Sequence, residues 1–395
     1  MSADEPVHPV DPVYLDNAAT TPLDSRVFAA LRPWLGERFG NPSSLHRLGD
    51  EALGALAAAR VQLARAVGAR AEEIVFTSGA TEANNLAVIG GARARKQHGQ
   101  HVLVGAFEHA CVRASAKALA REGFEVETLA PGAHGQLDLD DLVRRVRVDT
   151  VLVAHILVQN ETGIVYPLSA LARRVRARAP HALVHCDAAQ ALGKIELSFP
   201  ALGVDSLALS AHKAHGPMGS GALCVARGVR IDPLLHGGDQ ERGLRAGTEN
   251  VAGCVGLGAA AELAERERAT FMTQAARWRA EFARGLAPIE NLRLVEFDGA
   301  LPCFLALVGA GIPSAVRMQH LAEEGVLVSA GSACHAREQT LAPSLGALQL
   351  SDGEARSFLR ISHSRLSVRS DPAIVLGAFE RAEAKLRNAP RRVPS

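Results

Sequence analysis

The chain has 395 residues, 48% of them hydrophobic and 22% charged, and 43 Lys plus Arg against 42 Asp plus Glu leave a formal net charge of +1. That length buries an ample core, in two or three domains or one large α/β unit. Balanced charge argues against bulk binding to nucleic acid or an anionic membrane, which call for clustered positive charge, and no apolar run reaches the roughly 18 residues of a spanning helix.

The stretch up to Asp16 is acidic and broken by prolines. It lacks the basic start and apolar run of a signal peptide, so a cytoplasmic protein with an N-terminal arm over residues 1–14 is expected. From Ile74 to Val225, short apolar runs alternate with helical patterns. Strands are predicted at Ile74–Thr77, His101–Val104, Val126–Leu129, Thr150–Leu157, Ala182–Cys186, Ser206–Leu209 and Ala222–Val225, and helices at Glu82–Gln97, Cys111–Arg121 and Leu168–Arg178. Strands alternating with helices of about ten to fifteen residues imply crossover units and a mostly parallel, doubly wound sheet of seven strands. The unbroken apolar run at Thr150–Leu157 fits a strand covered on both faces.

After Gly247 the pattern changes to a long Ala/Arg/Glu-rich helix, Glu249–Arg284. Short strands follow at Leu292–Val295, Cys303–Leu307 and Val326–Ser329, with helices at Ser314–Glu324 and Pro372–Arg387. Residues 15–255 therefore read as a large α/β domain and residues 256–395 as a smaller α+β domain. Six cysteines, with no CxxC pair, suggest reduced thiols rather than a disulfide framework. Cys224, Cys254 and Cys303 lie in apolar or small-residue runs and read as core, whereas Cys334 has the small-residue surroundings of a mobile loop.

Only five of the basic residues are lysine: Lys96, Lys117, Lys194, Lys213 and Lys385. Chemistry that needs an amine has five candidates. Lys96, Lys117 and Lys385 fall on polar helix faces, which leaves Lys194, just past a turn, and Lys213. Lys213 follows a strand in Ser210-Ala211-His212-Lys213, ahead of a glycine-rich turn. Desolvation there would lower its pKa toward the neutral amine that Schiff-base chemistry requires.

Two further segments invite a ligand. In Thr77-Ser78-Gly79-Ala80-Thr81-Glu82 a strand ends in small and hydroxyl residues and a helix begins, which makes either a phosphate cradle or an ordinary capped turn. Asp187, in Cys186-Asp187-Ala188-Ala189-Gln190, stands at a strand end where open α/β sheets bind ligands. His181, His185, Cys186 and Asp187 match no zinc spacing, so no metal is expected at this centre. A cradle, an acid at a strand end and a lysine after a strand have one common explanation, pyridoxal phosphate.

The motifs carry the reading further. Tyr14-Leu15-Asp16-Asn17-Ala18-Ala19-Thr20-Thr21-Pro22, Gly40-Asn41-Pro42-Ser43-Ser44, Ser78-Gly79-Ala80-Thr81-Glu82-Ala83-Asn84-Asn85 and Asp187-Ala188-Ala189-Gln190 appear in order. Ser210-Ala211-His212-Lys213, Arg245-Ala246-Gly247-Thr248 and Gly331-Ser332-Ala333-Cys334 follow. Together these resemble the pyridoxal-phosphate cysteine desulfurases, in the branch with a Gly-Ser-Ala-Cys loop that feeds iron–sulfur and tRNA-thiolation pathways. The resemblance covers nearly the whole chain and implies the type I fold of pyridoxal-phosphate transferases.

It also implies roles. Lys213 would form the Schiff base and move the substrate's α-proton, Asp187 would pair with the pyridine nitrogen, and Gln190 would contact the ring hydroxyl. His109 would stack on the ring and carry a proton, although by itself it reads as a capping histidine. Ala80, Thr81, Ser210 and His212 would bind the phosphate, and Thr248 would reach the phosphate of the neighbouring subunit in a homodimer with composite sites. Asn160 would contact cofactor and substrate, and Arg360 would clamp the L-cysteine carboxylate with its planar fork. Cys334, with His335 and Arg337 nearby to lower its pKa, would take the sulfur as a persulfide and hand it to an acceptor protein, and it could serve as an iron–sulfur ligand during that transfer. No direct nucleic-acid or membrane partner is implied. Rival readings are a selenocysteine lyase, a small-amino-acid aminotransferase, or a non-catalytic scaffold of the sulfur pathway. The departures are His363-Ser364-Arg365, where the family commonly has Leu-Gly-Arg, Met218 in place of an expected lysine, and a short tail after the last helix.

Overall fold

Runs of four to seven mostly apolar residues form one seven-stranded sheet in the computed structural model, which describes residues 12–309, 311–331 and 350–388. After a short β1 (Val13–Tyr14), the sheet strands are β2 (Ile74–Thr77), β3 (His101–Gly105), β4 (Glu125–Leu129), β5 (Thr150–Ile156), β6 (Leu183–Asp187), β7 (Ser206–Ser210) and β8 (Gly221–Val225). Their order is β2-β8-β7-β6-β5-β3-β4, and only β8 runs against the others. Every residue of β2, β3, β5, β6, β7 and β8 is buried. Both faces are covered, which is why these strands read as continuous apolar runs. From β3 the chain turns one way to β4, and from β5 it turns the other way through β6 to β7. The crevice at such a reversal, outside the carboxyl ends of the strands, is where this architecture binds ligands.

Helices Ala110–Arg121 and Leu168–Arg178 form where the sequence places them. The helix predicted over 82–97 instead starts at Ala80, widens into a π turn at Leu86–Gly90 and ends at Arg93. A glycine is required in that turn, because a Cβ on Gly90 would lie 2.2 Å from the Asp232 carbonyl oxygen. The helix Arg47–Ala66 was not anticipated.

The fold divides into two units. One comprises Thr20–Asn160 and Ile164–Ala269 and holds the large sheet. The other comprises the described residues of Met1–Ala19, Glu161–Gly163 and Thr270–Ser395. The sequence-based boundary at residue 255 compares with a division at Ala269/Thr270, inside the continuous helix Val251–Leu286. The second unit has its own antiparallel sheet, ordered β12 (Leu359–Ser362), β10 (Phe304–Gly309), β9 (Leu292–Val295). In it β1, at the end of the expected arm, pairs in parallel with β11 (Val326–Leu327).

Within this unit, helix Ser314–Glu323 is fixed to helix Pro372–Asn388 by an ion pair between Arg317 and Glu383 at 2.5 Å, with both side chains fully buried. Two buried charges are tolerated only together, since removing one strands the other in a low-dielectric interior. Glu383→Ala is therefore expected to cost about 3–5 kcal/mol in denaturant unfolding. Replacing both residues with apolar ones should recover most of that loss. A single variant as stable as the parent would contradict the assignment.

Candidate active site

Strand β6 delivers Asp187 to the crevice with its side chain 2% exposed. Asn84 Nδ2 donates to one carboxylate oxygen at 2.8 Å and the Ala189 N–H donates to the other at 2.9 Å. Behind Asn84 stands His185, two residues back on the same face of β6. Its Nε2–H donates to Asn84 Oδ1 at 2.8 Å, which leaves Nδ1 to accept from the Ser206 hydroxyl at 2.9 Å. Burial holds His185 down at about 4, so it stays neutral. The chain Ser206–His185–Asn84–Asp187 thus fixes the carboxylate without a counter-cation.

His109 follows β3 and caps helix Ala110–Arg121, its Nδ1 accepting the Cys111 backbone N–H at 3.3 Å. The Cys111 thiol lies 3.0 Å from the same nitrogen and 3.2 Å from Asn84 Nδ2. Burial lowers the His109 pKa, the charge on Asp187 opposes that, and Lys213 and Arg113 add to the lowering. His109, Asp187 and Lys213 therefore share one electrostatic neighbourhood. Burial pushes the Cys111 thiol up to about 11, with Asp187 adding to the rise, so this cysteine is a poor nucleophile.

Lys213 lies one short turn beyond β7 and is half-buried. Its neighbour His212 is tied down by Thr20 Oγ1 at 3.0 Å and by Thr21, whose N–H and hydroxyl both donate to the His212 carbonyl. Burial, then Lys213 and Lys194, lower His212 to about 4. Lys194, the other lysine candidate, is only 5% exposed, and its Nζ donates to Gln190 at 3.4 Å.

The helix beginning at Ala80 has Gly79 at its N-cap and no side-chain cap. Its first N–H groups have no partner within the helix, and Ser78 and Thr81 are exposed. Gly221, paired with Ser210 in the sheet, passes so close that a Cβ there would lie 2.5 Å from the Gly79 Cα. Ser210 is thereby set beside the helix start. Glu82 joins the cradle to the segment carrying the exposed Thr248, accepting from the Ser78 N–H at 2.8 Å and from Arg245 Nε at 3.0 Å. Burial pushes Glu82 up, yet the Ser78 and Arg245 contacts outweigh it and hold the pKa below the usual range. Asn160 is half-buried and follows the Val158–Val165 bridge beyond β5.

This donor set fits pyridoxal 5'-phosphate. Asp187 suits a protonated ring nitrogen, the bare helix start with Ser210 suits the phosphate, and Lys213 suits the aldehyde. Among the described residues no group of three or more His, Cys, Asp or Glu is placed to hold a metal ion.

Arg360, on β12 in the second unit, is 2% exposed and its Nη2 donates to Asp16 at 2.5 Å. Cys334 lies outside the described residues. Sequence reasoning missed the supports: Asn84, His185, Cys111, Glu108 and Asp16. The spacing of His185 and Asp187 on one strand face was the one available signal.

Comparison with known proteins places the site in context. The aminotransferase class-V family model matches residues 13–371. The chain is 38% identical to the cysteine desulfurase IscS of Dictyoglomus turgidum over 379 residues, 95% of each chain. A solved NifS-like protein superposes with a TM-score of 0.88 at 32% identity, covering 95% of this chain and 99% of that one. A structure described as SspA in complex with cysteine gives a TM-score of 0.78 at 35% identity, covering 88% and 98%.

Histidines desolvated by burial, wholly for His155 and His185 and partly for His212, also set an acid limit. His155, His185 and His212 are held near 4 against an ordinary 6.5. Above 6.5 neither state takes up protons at these rings, and below it only the unfolded chain does so, so stability falls as pH drops toward 4. Urea unfolding of the apoprotein should show a midpoint that declines between about pH 7 and about pH 4.5. A flat or rising midpoint would contradict these protonation states.

Proposed function

Because this chain belongs to the class-V aminotransferase family, in its cysteine desulfurase branch, we propose that it removes sulfur from L-cysteine, releases L-alanine and loads the sulfur onto Cys334 as a persulfide. The observation that carries this reading is the placement of Asp187 at the end of β6, Lys213 after β7 and His109 after β3, at the carboxyl ends of parallel strands of one sheet. The cysteine named in the SspA structure supports the substrate assignment.

Bound pyridoxal phosphate supplies the electron sink that lets the substrate's α-carbon lose its proton. The residues do the rest. Asp187 keeps the ring nitrogen protonated, Gln190 and Asn160 orient the ring, and Ala80, Thr81, Ser210 and His212 hold the phosphate. Lys213 Nζ takes the α-proton and returns it, and His109 covers the ring and carries a proton at Nε2, since Nδ1 is committed to the helix cap. Arg360 receives the substrate carboxylate. The Cys334 thiolate forms the S–S bond as the substrate C–S bond breaks; the electron pair stays with carbon, which takes up a proton and departs as alanine. Cysteine plus thiol gives alanine plus persulfide, and no outside oxidant is needed.

Thr248 would complete the neighbouring subunit's site in a homodimer. Its exposure supports this, as do the exposed apolar side chains that the segment 23–53 carries at Leu23, Phe28, Leu35, Phe39, Leu45 and Leu53. An acceptor protein, either an iron–sulfur scaffold or a tRNA-thiolating enzyme, would take the sulfur, in the cytoplasm. The buried free thiols Cys111, Cys186, Cys224, Cys254 and Cys303 fit a reducing compartment.

Incubation with L-cysteine tests the proposal. Lys213→Ala should lose about 10²–10⁴-fold in alanine formation, the range of a general acid–base group. Cys334→Ser should still change the visible absorbance of the cofactor on adding cysteine, yet carry no persulfide. Persulfide on Cys334→Ser, or full turnover by Lys213→Ala, would overturn the respective role.

A further inference from the structure

Glu108 is a buried acid to which the reaction gives no task. It follows β3, immediately precedes His109 and is 1% exposed. Its Oε1 accepts the Ile156 backbone N–H at 2.5 Å, and its Oε2 is buried with no hydrogen-bond partner among the described residues. Strand geometry explains the first contact. The next N–H along, that of Leu157, points toward β6 and bonds the Asp187 carbonyl. The Ile156 N–H must therefore point the other way, toward β3, which has already ended at Gly105. The Glu108 side chain supplies the acceptor in place of the Gly105 carbonyl, which instead accepts the Glu108 backbone N–H at 3.3 Å. Gly105 leaves room for it, because a Cβ there would lie 2.9 Å from Glu108 Oε1 and 2.9 Å from the His155 ring.

We propose that Glu108 is a positioning residue for His109, extending the β3–β5 ladder by one side-chain bond and so fixing the segment that carries His109 across the crevice. This rests on the reading that His109 works over the cofactor ring. Another anchor of the segment is Arg113, whose guanidinium bonds the Glu108 backbone carbonyl. The acid is held neutral. One amide N–H cannot offset a carboxylate buried beside the negative Asp187, whereas an unsatisfied neutral oxygen costs only about 1–3 kcal/mol. Burial, then Asp187, push its pKa well above the ordinary range, against smaller opposing effects from the Ile156 amide and Arg113. His155 presents a neutral ring and Tyr166 a neutral phenol to the same space.

Neutrality makes the test sharp, since glutamine keeps the accepting oxygen and adds no charge. In the holoenzyme, Glu108→Ala should weaken the visible circular dichroism of the bound cofactor. It should also lower kcat by ~10- to 100-fold with KM for cysteine within about twofold, as expected of a misplaced catalytic group. Glu108→Gln should recover most of both losses. Gly105→Ala, which crowds the side chain while leaving it in place, should reproduce the alanine variant. Wild-type dichroism and kcat in Glu108→Ala would overturn the proposal, and so would a glutamine variant as impaired as alanine. The dichroism is recorded without cysteine, so it judges Glu108 separately from the substrate assignment.

Discussion

The site depends on keeping one negative charge, that of Asp187, at the buried end of β6. An isolated carboxylate in such a place would be neutralised or would cost several kcal/mol. Here two N–H donors satisfy it, and the Asn84 donor is itself fixed by a neutral histidine and a serine behind it. The arrangement has a direction, because each group donates forward and only the last acceptor is anionic. Burial and the neighbouring Asp187 push the pKa of Glu108, the second acid in the same space, well above the ordinary range.

The sheet topology then converts that charge into a site. Asp187, His109 and Lys213 come from β6, β3 and β7, strands that are scattered in sequence yet end along one edge at the chain reversal. Close backbone approaches bring the proposed phosphate cradle to the same edge. Gly221 allows β8 to lie against Gly79, so the helix start and Ser210 become neighbours. A side chain at position 221 would push the cradle away from the strand that carries the lysine.

Six strands of the sheet were legible in the sequence because a strand buried on both faces is apolar along most of its length, and all seven, the half-exposed β4 included, were anticipated within one residue. Helix Arg47–Ala66 was missed although Ala52, Leu56, Ala59 and Leu63 repeat at helical spacing and are all buried; small alanine side chains make a weak apolar stripe. The need for glycine at Gly90 in the π turn was hidden because the group that crowds it, the Asp232 carbonyl, lies far along the chain. The lysine shortage worked as a sieve down to Lys194 and Lys213, and the fold separates those two by their surroundings: both act electrically on His212, but Lys194 is buried against Gln190, while Lys213 is half-buried and also acts on His109. The supporting polar groups were invisible for a common reason. Asn84, Glu108 and Asp16 gain meaning only through contacts 48 to 344 residues away.

The central claim is that Asp187 holds the cofactor's ring nitrogen in its protonated form. Nitrogen-15 NMR of the protein loaded with ring-labelled pyridoxal phosphate measures this directly. The account predicts a protonated nitrogen in the parent at neutral pH and an unprotonated one in Asp187→Ala. An unprotonated ring nitrogen in the parent, or a protonated one that survives the loss of Asp187, would contradict it.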